Sequence, residues 1–167
     1  MELDQTLIGT TLSVDWEVNF MNRLEELRKM MTGENPAAPI VQLLGIEIIE
    51  LDKGMVVLEM EATEKLHNPM GTLHGGILCD LSDLAMGYAF YSTLTNDELF
   101  TTVEIKLNFL KPIWEGKLRA ESKIIKRGNS IGLVECQVFD QKGSIVAHST
   151  STCKILKGNA DGKRVQS

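Results

Sequence analysis

Between Asn68 and Asp83 the chain carries its densest set of groups able to act on a substrate: an amide, a histidine, three glycines and two carboxylates. Asn68-Pro69-Met70-Gly71-Thr72-Leu73-His74-Gly75-Gly76 is a run of turn formers and polar groups, and Asp80 and Asp83 follow it. A carboxylate can take a proton from water or attack a carbonyl carbon itself, and the sequence does not choose between the two. N–H groups at the start of a helix have no intrahelical partner and carry the positive end of its dipole, so Gly75 and Gly76 can meet negative charge building on an oxygen. Glycine also lets a ligand come close to the backbone. Each group has a plainer reading. The aspartates can be solvated, or one can cap a neighbouring loop. His74 can simply close the loop by a hydrogen bond to the backbone.

The element that must hold these groups is a helix from about Gly75 to Leu94. Ile77, Leu78, Leu81, Leu84, Ala85, Tyr88 and Ala89 recur with helical spacing on one face. It is the most apolar helix expected in the chain, so burial is expected too. Asp80 and Asp83 lie three apart on it, with Gly76 and Gly87 on the same side. A carboxylate on a buried helix is costly unless paired, and the two glycines leave room for something to approach.

The surrounding elements follow from pattern. Residues 1–13 read as an arm. Trp16, Phe20, Leu24, Leu27 and Met31 then mark an amphipathic helix over 13–32, with Ser13 at its N-cap and Gly33 after its end. After a Pro-rich linker, Pro39–Gly45 suits one or two helical turns. Ile46–Leu51 and Met55–Ala62 read as strands joined by Asp52-Lys53-Gly54. In the second, Val57, Glu59 and Glu61 fall on the wetter face. Four more strands are expected beyond the helix: Phe100–Leu110, Gly116–Lys126, Ser130–Phe139 and Ser144–Leu156. Strands in hairpins around one buried helix imply an α+β domain, an antiparallel sheet of about six strands wrapped around a long central helix, plus an extra N-terminal helix. Such a sheet leaves an edge exposed, and pairing with a second copy covers it.

With 167 residues the chain is long enough for one domain with a sizeable core. Its net charge of −6, without a basic block, argues against nucleic acid as a partner. Cys79, Cys136 and Cys153 are odd in number and widely spaced, which fits buried thiols in a reducing cytoplasm better than disulfides or zinc. Neither a signal peptide nor a membrane-spanning stretch is expected. His67 and His148 are taken as structural or exposed, and with His74 they lack the short spacing of metal ligands.

Asn68-x-x-Gly71-x-x-His74-Gly75-Gly76 followed by Asp83 resembles the hot-dog-fold acyl-CoA thioesterases, in the PaaI-like family. The element order matches over roughly residues 36–157, which sets the expected division: arm and helix over 1–35, hot-dog thioesterase domain over 36–157, flexible tail over 158–167. The resemblance implies hydrolysis of an acyl-CoA thioester to a free acid and CoA, with no cofactor or metal and with CoA entering as part of the substrate. It places the catalytic carboxylate on Asp83, the water-positioning amide on Asn68, the turn histidine on His74 and the oxyanion donor on the Gly75 N–H. It gives the assisting hydroxyl to Thr102, with Thr101 adjacent. It also implies a homodimer or a dimer of dimers, with Asp83 facing Asn68 and His74 of the other subunit.

Binding of the substrate itself is expected to involve Gly76 and Met70, and Asp80 is read as a supporting acceptor. Met70, Met86, Phe90, Tyr91 and Leu110 are expected as apolar walls of the acyl pocket. The turn Lys126-Arg127-Gly128-Asn129-Ser130 offers charge and free N–H groups for the CoA phosphates. Related thioesterases often carry a basic residue just after this glycine, where this chain has Asn129, so an ordinary solvated turn stands beside the phosphate reading. The alternative to catalysis is an acyl-CoA-binding hot-dog module acting as a sensor. A hot-dog dehydratase does not fit the HGG-to-Asp83 pattern.

Overall fold

The structure is a computed structural model that describes residues 23–158. Leu78, Leu81, Ala85, Met86, Ala89 and Phe90 are all buried and form the inner face of α3 (Gly75–Tyr91). That face packs against an antiparallel sheet in the order β1-β2-β4-β5-β6-β3. The strands are β1 (Glu47–Asp52), β2 (Met55–Ala62), β3 (Glu98–Phe109), β4 (Gly116–Arg127), β5 (Ile131–Asp140) and β6 (Ile145–Lys157). β2 pairs with β4 because α3 and β3 are inserted between them, and β3 is laid down at the far edge against β6 alone. The α+β, sheet-around-helix architecture expected from the pattern is therefore the one observed.

Two short helices precede the sheet. α2 (Pro39–Leu44) starts on its proline and ends on Gly45, whose φ of 63° is left-handed. α1 (Arg23–Met31) is the described part of the expected 13–32 helix. Trp16, Phe20, the Ser13 cap, the arm before them and the tail beyond Gly158 lie outside the described residues. Leu24 and Leu27 turn inward as expected, but Met31 is 45% exposed. The helix is anchored by its first residues: Arg23 Nη1 donates to the Tyr91 hydroxyl at 2.9 Å, and that hydroxyl donates to Glu26 in a short bond. The Arg23 guanidinium also lies 5.2 Å from the centre of the Tyr91 ring.

The structure corrects three further details. α3 stops at Tyr91 rather than Leu94, because the hydroxyls of Ser92 and Thr93 take the Ala89 and Phe90 carbonyls at 2.8 and 2.7 Å. The Ser92 oxygen accepts in turn from the Gly54 N–H at 2.8 Å, tying the β1–β2 turn to the helix end. β3 begins two residues early, at Glu98; β2 keeps its expected bounds and β4 its expected start, and the remaining strand ends shift by a residue. Val57 is buried although it sits in register with Glu50 and Glu121 on the wetter face. Arg119 bonds to Glu50, Glu59 and Glu121 together, so its long side chain bridges the row that contains Val57.

Packing of sheet on helix is tightest at Gly132 on β5. A Cβ there would stand 2.1 Å from Cε2 of Phe90, which is fully buried. Overpacking a core typically costs about 1–3 kcal/mol. Gly132→Ala is therefore expected to lower unfolding stability by at least that range, read from the denaturant midpoint. A midpoint within error of the parent would show that Phe90 has room to move.

A pH dependence follows from the docking of α1. The Tyr91 phenol is pushed up to about 12, by burial first and then by the bond to Glu26, with Arg23 acting the other way. An unfolded tyrosine ionises near about 10. A raised folded value means this contribution is whole below pH of about 10 and is lost as pH climbs toward about 12. The parent should lose stability over that window more steeply than Tyr91→Phe, and parallel curves would rule the coupling out.

Candidate active site

Asp83 stands on the side of α3 that the sheet leaves open, and it is exposed. Its Oδ1 accepts from the Thr102 hydroxyl on β3 at 3.2 Å. The neighbouring Thr101 points its hydroxyl at the Thr102 carbonyl instead, at 3.5 Å, so the register selects Thr102. The Oδ2 atom of Asp83 makes no hydrogen bond among the described residues. Asp80 is exposed as well and accepts none among them, so the chain alone gives it no supporting role. Beside the two acids, the Cys79 thiol is pushed up by burial and then by the charges of Asp80 and Asp83.

The turn before α3 is built by its own side chains. Asn68 Oδ1 accepts from the Met70 N–H at 2.9 Å and the Thr72 N–H at 3.3 Å, while its Nδ2 donates to Thr72 Oγ1 at 2.9 Å. His67 Nε2 lies 2.6 Å from the Trp114 carbonyl oxygen, and the Leu73 N–H donates to the Ile113 carbonyl at 2.7 Å. The loop is thereby laid on the segment between β3 and β4. His74 caps α3: its Nδ1 accepts from the Gly76 N–H at 2.9 Å, and its own N–H donates to the Leu66 carbonyl at 2.9 Å.

That cap sorts the two glycine amides. The Gly76 N–H is spent on His74, whereas the Gly75 N–H has no acceptor among the described residues. A neutral His74 ring that accepts at Nδ1 carries its proton on Nε2, which leaves a donor for another group. The loop-closing reading and the donor reading of His74 are thus compatible. Both glycines are closely approached: a Cβ at Gly76 would lie 2.9 Å from His74 Nδ1, and one at Gly75 would lie 2.9 Å from the Phe109 ring, so either substitution would make a ring move.

Asp83 and Thr102 are brought together; Asn68, His74 and Gly75 are brought together; the two groups are not. Eight residues of helix between Gly75 and Asp83 amount to about 12 Å of axis. One carbonyl group cannot lie within reach of both in a single chain.

The β4–β5 turn stands further off. Arg127 donates to a Glu98 carboxylate oxygen at 2.5 Å and to the Gly128 carbonyl at 2.8 Å, so its charge is already matched. Gly128 is fixed there, since a Cβ would lie 2.7 Å from the Ile131 carbonyl oxygen, while Asn129 and Ser130 are exposed. Glu98 opens β3 and Phe109 closes it, so this turn and the HGG turn lie about 36 Å of strand apart. Of the expected pocket walls, Met86 and Phe90 are fully buried against the sheet and are corrected to core residues. They follow Asp83 by three and seven positions, about 60° and about 20° from it around the helix axis, so burial against the sheet and not helical phase sets them apart. Met70 and Leu110 are exposed, and Tyr91 is held by Arg23 and Glu26. Sequence reasoning missed Phe109, whose contact with Gly75 no local pattern announces.

Comparison with known proteins bears on this geometry. Residues 70–147 match the Thioesterase superfamily. The chain is 31% identical to the 1,4-dihydroxy-2-naphthoyl-CoA hydrolase of Listeria monocytogenes, over 70% of this chain and 94% of that one. It is 31% identical to the acyl-coenzyme A thioesterase PaaI of Escherichia coli, over 78% of this chain and 90% of that one. The chain belongs to the thioesterase superfamily. A solved thioesterase family protein from Silicibacter pomeroyi superposes with a TM-score of 0.70 at 29% identity, covering 78% of this chain and 98% of that one. The fold is accordingly the hot-dog fold in its PaaI-like form, and the protein is a thioester hydrolase. Among the described residues, no helix is long and apolar enough to cross a membrane.

The loop geometry makes a stability prediction. Asn68→Ala removes the acceptor of two backbone N–H groups, and such losses cost roughly 1–3 kcal/mol. Asn68→Asp keeps that acceptor. Denaturant unfolding should show the alanine variant weakened by that amount and the aspartate variant by less than half of it. Equal losses would mean that the Thr72 contact, not the two N–H bonds, braces the turn.

Proposed function

We propose that the chain hydrolyses acyl-CoA thioesters, with Asp83 of one subunit activating water and the Gly75 N–H of a second subunit receiving the charge on the carbonyl oxygen. The observation that carries this reading is the separation of the two halves along α3. A free amide donor and a hydroxyl-supported carboxylate each need a counterpart that a second copy supplies. β3 is twelve residues long and, among the described residues, bonded on one side only, with Val103 and Phe109 exposed on it. A long bare edge of this kind favours strand pairing. Two β3 strands paired antiparallel about a two-fold axis near their middle bring the Phe109 end of one copy toward the Thr102 end of the other. Phe109 rests on Gly75 and Thr102 holds Asp83, so the pairing carries the donor of one chain to the acid of the other.

In that arrangement Asp83 takes a proton from water as the water oxygen bonds to the carbonyl carbon. The carbonyl electrons move onto oxygen and meet the Gly75 N–H. Collapse restores the carbonyl, breaks the carbon–sulfur bond and releases CoA as a thiolate, which needs no strong acid to leave. Thr102 holds Oδ1, so Oδ2 is the atom that takes the proton. Asn68 spends its acceptor on the loop, and its remaining amide hydrogen is the one that orients the water. The His74 Nε2–H serves as a second donor to the carbonyl oxygen or sulfur. The exposed Asn129 and Ser130 end of the β4–β5 turn is the candidate contact for the CoA phosphates. Three free thiols accord with a cytoplasmic setting.

Asp83→Asn is the test. Asparagine still accepts from Thr102 but cannot take a proton, and general-base contributions are about 100- to 10,000-fold. Free CoA thiol released from a panel of acyl-CoAs should fall by at least 100-fold in turnover, with unchanged fold and oligomeric state. A variant with near-parental turnover would refute the role of Asp83. Binding of acyl-CoA by the parent without release of thiol would favour the sensor reading.

A further inference from the structure

Gly75 opens α3 with a backbone that would accept a side chain, because its φ is not positive. What stands in the way is the Phe109 ring. A Cβ at Gly75 would lie 2.9 Å from both Cε1 and Cζ of that ring and 3.7 Å from Cδ1. Gly71, in the same loop, is the opposite case, with a φ of 78° and nothing within 4 Å of an added Cβ. The Phe109 ring thus fills the space that the first side chain of α3 would take.

The ring grows from anchored backbone. Phe109 is the last residue of β3, in register with Ala147 on β6, and the Leu110 N–H after it donates to the Val146 carbonyl at 2.9 Å. Four residues beyond Phe109, the Ile113 carbonyl accepts from the Leu73 N–H at 2.7 Å. The end of β3 and the turn before α3 are therefore tied together close to the contact. Yet Phe109 is 58% exposed and lies outside the core, so burial does not explain its place. What it covers is a glycine whose N–H has no acceptor among the described residues.

We infer that Phe109 is a positioning residue for thioester hydrolysis: its ring stands in for the side chain that Gly75 lacks and keeps the Gly75 N–H aimed at the substrate oxygen. This rests on the reading of Gly75 as the donor and deepens it. Glycine samples more backbone conformations than other residues, and no hydrogen bond within the described chain holds the direction of this N–H. The ring blocks from outside what a Cβ would block from inside. An alanine without the ring would restrain the amide as well. What Phe109 adds is a link to β3, the edge proposed to pair with a second copy, so one side chain sets both the end of that edge and the aim of the donor.

The test is second-site rescue in the full chain. Release of free CoA thiol is measured for the parent, Phe109→Ala, Gly75→Ala and the double variant, on whichever of acetyl-, hexanoyl-, benzoyl- and palmitoyl-CoA the parent turns over fastest. Phe109→Ala should lower kcat by about five- to fiftyfold, short of the about 100- to 1,000-fold that losing a donor outright costs. Its KM should stay within about twofold of the parent, since the donor acts on the transition state. Gly75→Ala should lower kcat as well, because its Cβ pushes the ring aside. The double variant should exceed both single variants in kcat, because the new Cβ then occupies the vacated space and supplies the lost restraint. If Phe109→Ala does not fold, Phe109→Leu replaces it in both variants: leucine keeps the branch at Cγ but not the Cε1 and Cζ atoms that meet Gly75. A double variant no faster than the Phe109 variant would overturn the inference, whatever its oligomeric state. So would a rise in KM at unchanged kcat, which would make the ring a binding surface, or a Gly75→Ala with parental kcat. All three leave the thioesterase reading intact. A folded parent that releases no CoA from any of the four substrates would overturn that reading, and this inference with it.

Discussion

A helix is a rigid rod, and that rigidity decides how this protein can work. α3 carries a free amide at its first residue and a carboxylate eight residues on, and its pitch holds them about 12 Å apart. No loop movement shortens that distance, because the hydrogen bonds between the two points are those of the helix itself. The six buried apolar side chains on its inner face clamp the rod to the sheet, so its open side always presents the same groups. Whatever acts with Asp83 must come from outside α3. Thr102 comes from β3 of the same chain, and in the proposed mechanism the donor for the substrate oxygen comes from a second copy.

β3 links the two requirements. Among the described residues it is an edge strand of the sheet with one side unpaired, and it touches both clusters, Thr102 to Asp83 and Phe109 to Gly75. An edge that long is a liability in a lone chain. Its exposed positions alternate with Phe100, Ile105 and Leu107, which pack inward, so β3 cannot slide without moving core side chains. The step between Thr102 and Glu104 breaks the ladder at Val103 and re-aims the strand just beside Asp83.

Much of this was readable from residue spacing. The helical period over Ile77–Ala89 and the alternation in Val103–Phe109 follow from burial on one face, which sequence records directly. The Asn68-to-Asp83 pattern likewise marks the groups that the structure divides between its two clusters. What was not readable depends on contacts between distant segments. The choice of Thr102 over Thr101 turns on strand register against a helix. Arg127 has a carboxylate partner twenty-nine positions away, which left the turn without a free guanidinium. Apolar character alone places Met86 and Phe90 in the pocket, and only their full burial against the sheet shows that they belong to the core. Val57 was assigned to water by alternation, and one arginine reaching three carboxylates overrides that.

The glycines show why residue type and local pattern run out at the site. His74-Gly75-Gly76 reads as a unit, yet each member answers to a different neighbour. Gly76 yields to the His74 ring, Gly75 to a phenylalanine more than thirty positions later, and His74 itself bonds back to the chain before the turn. Because Gly76 donates to His74, the imidazole tautomer and the fate of both amides are settled together. If His74 gained a second proton, Nδ1 could no longer accept, the Gly76 N–H would be released and the cap would open. The same few atoms thus fix the start of α3, leave one amide free and set which ring nitrogen can donate. The chemistry of the turn and the stability of the helix it begins are one arrangement, so a substitution that disturbs either disturbs both.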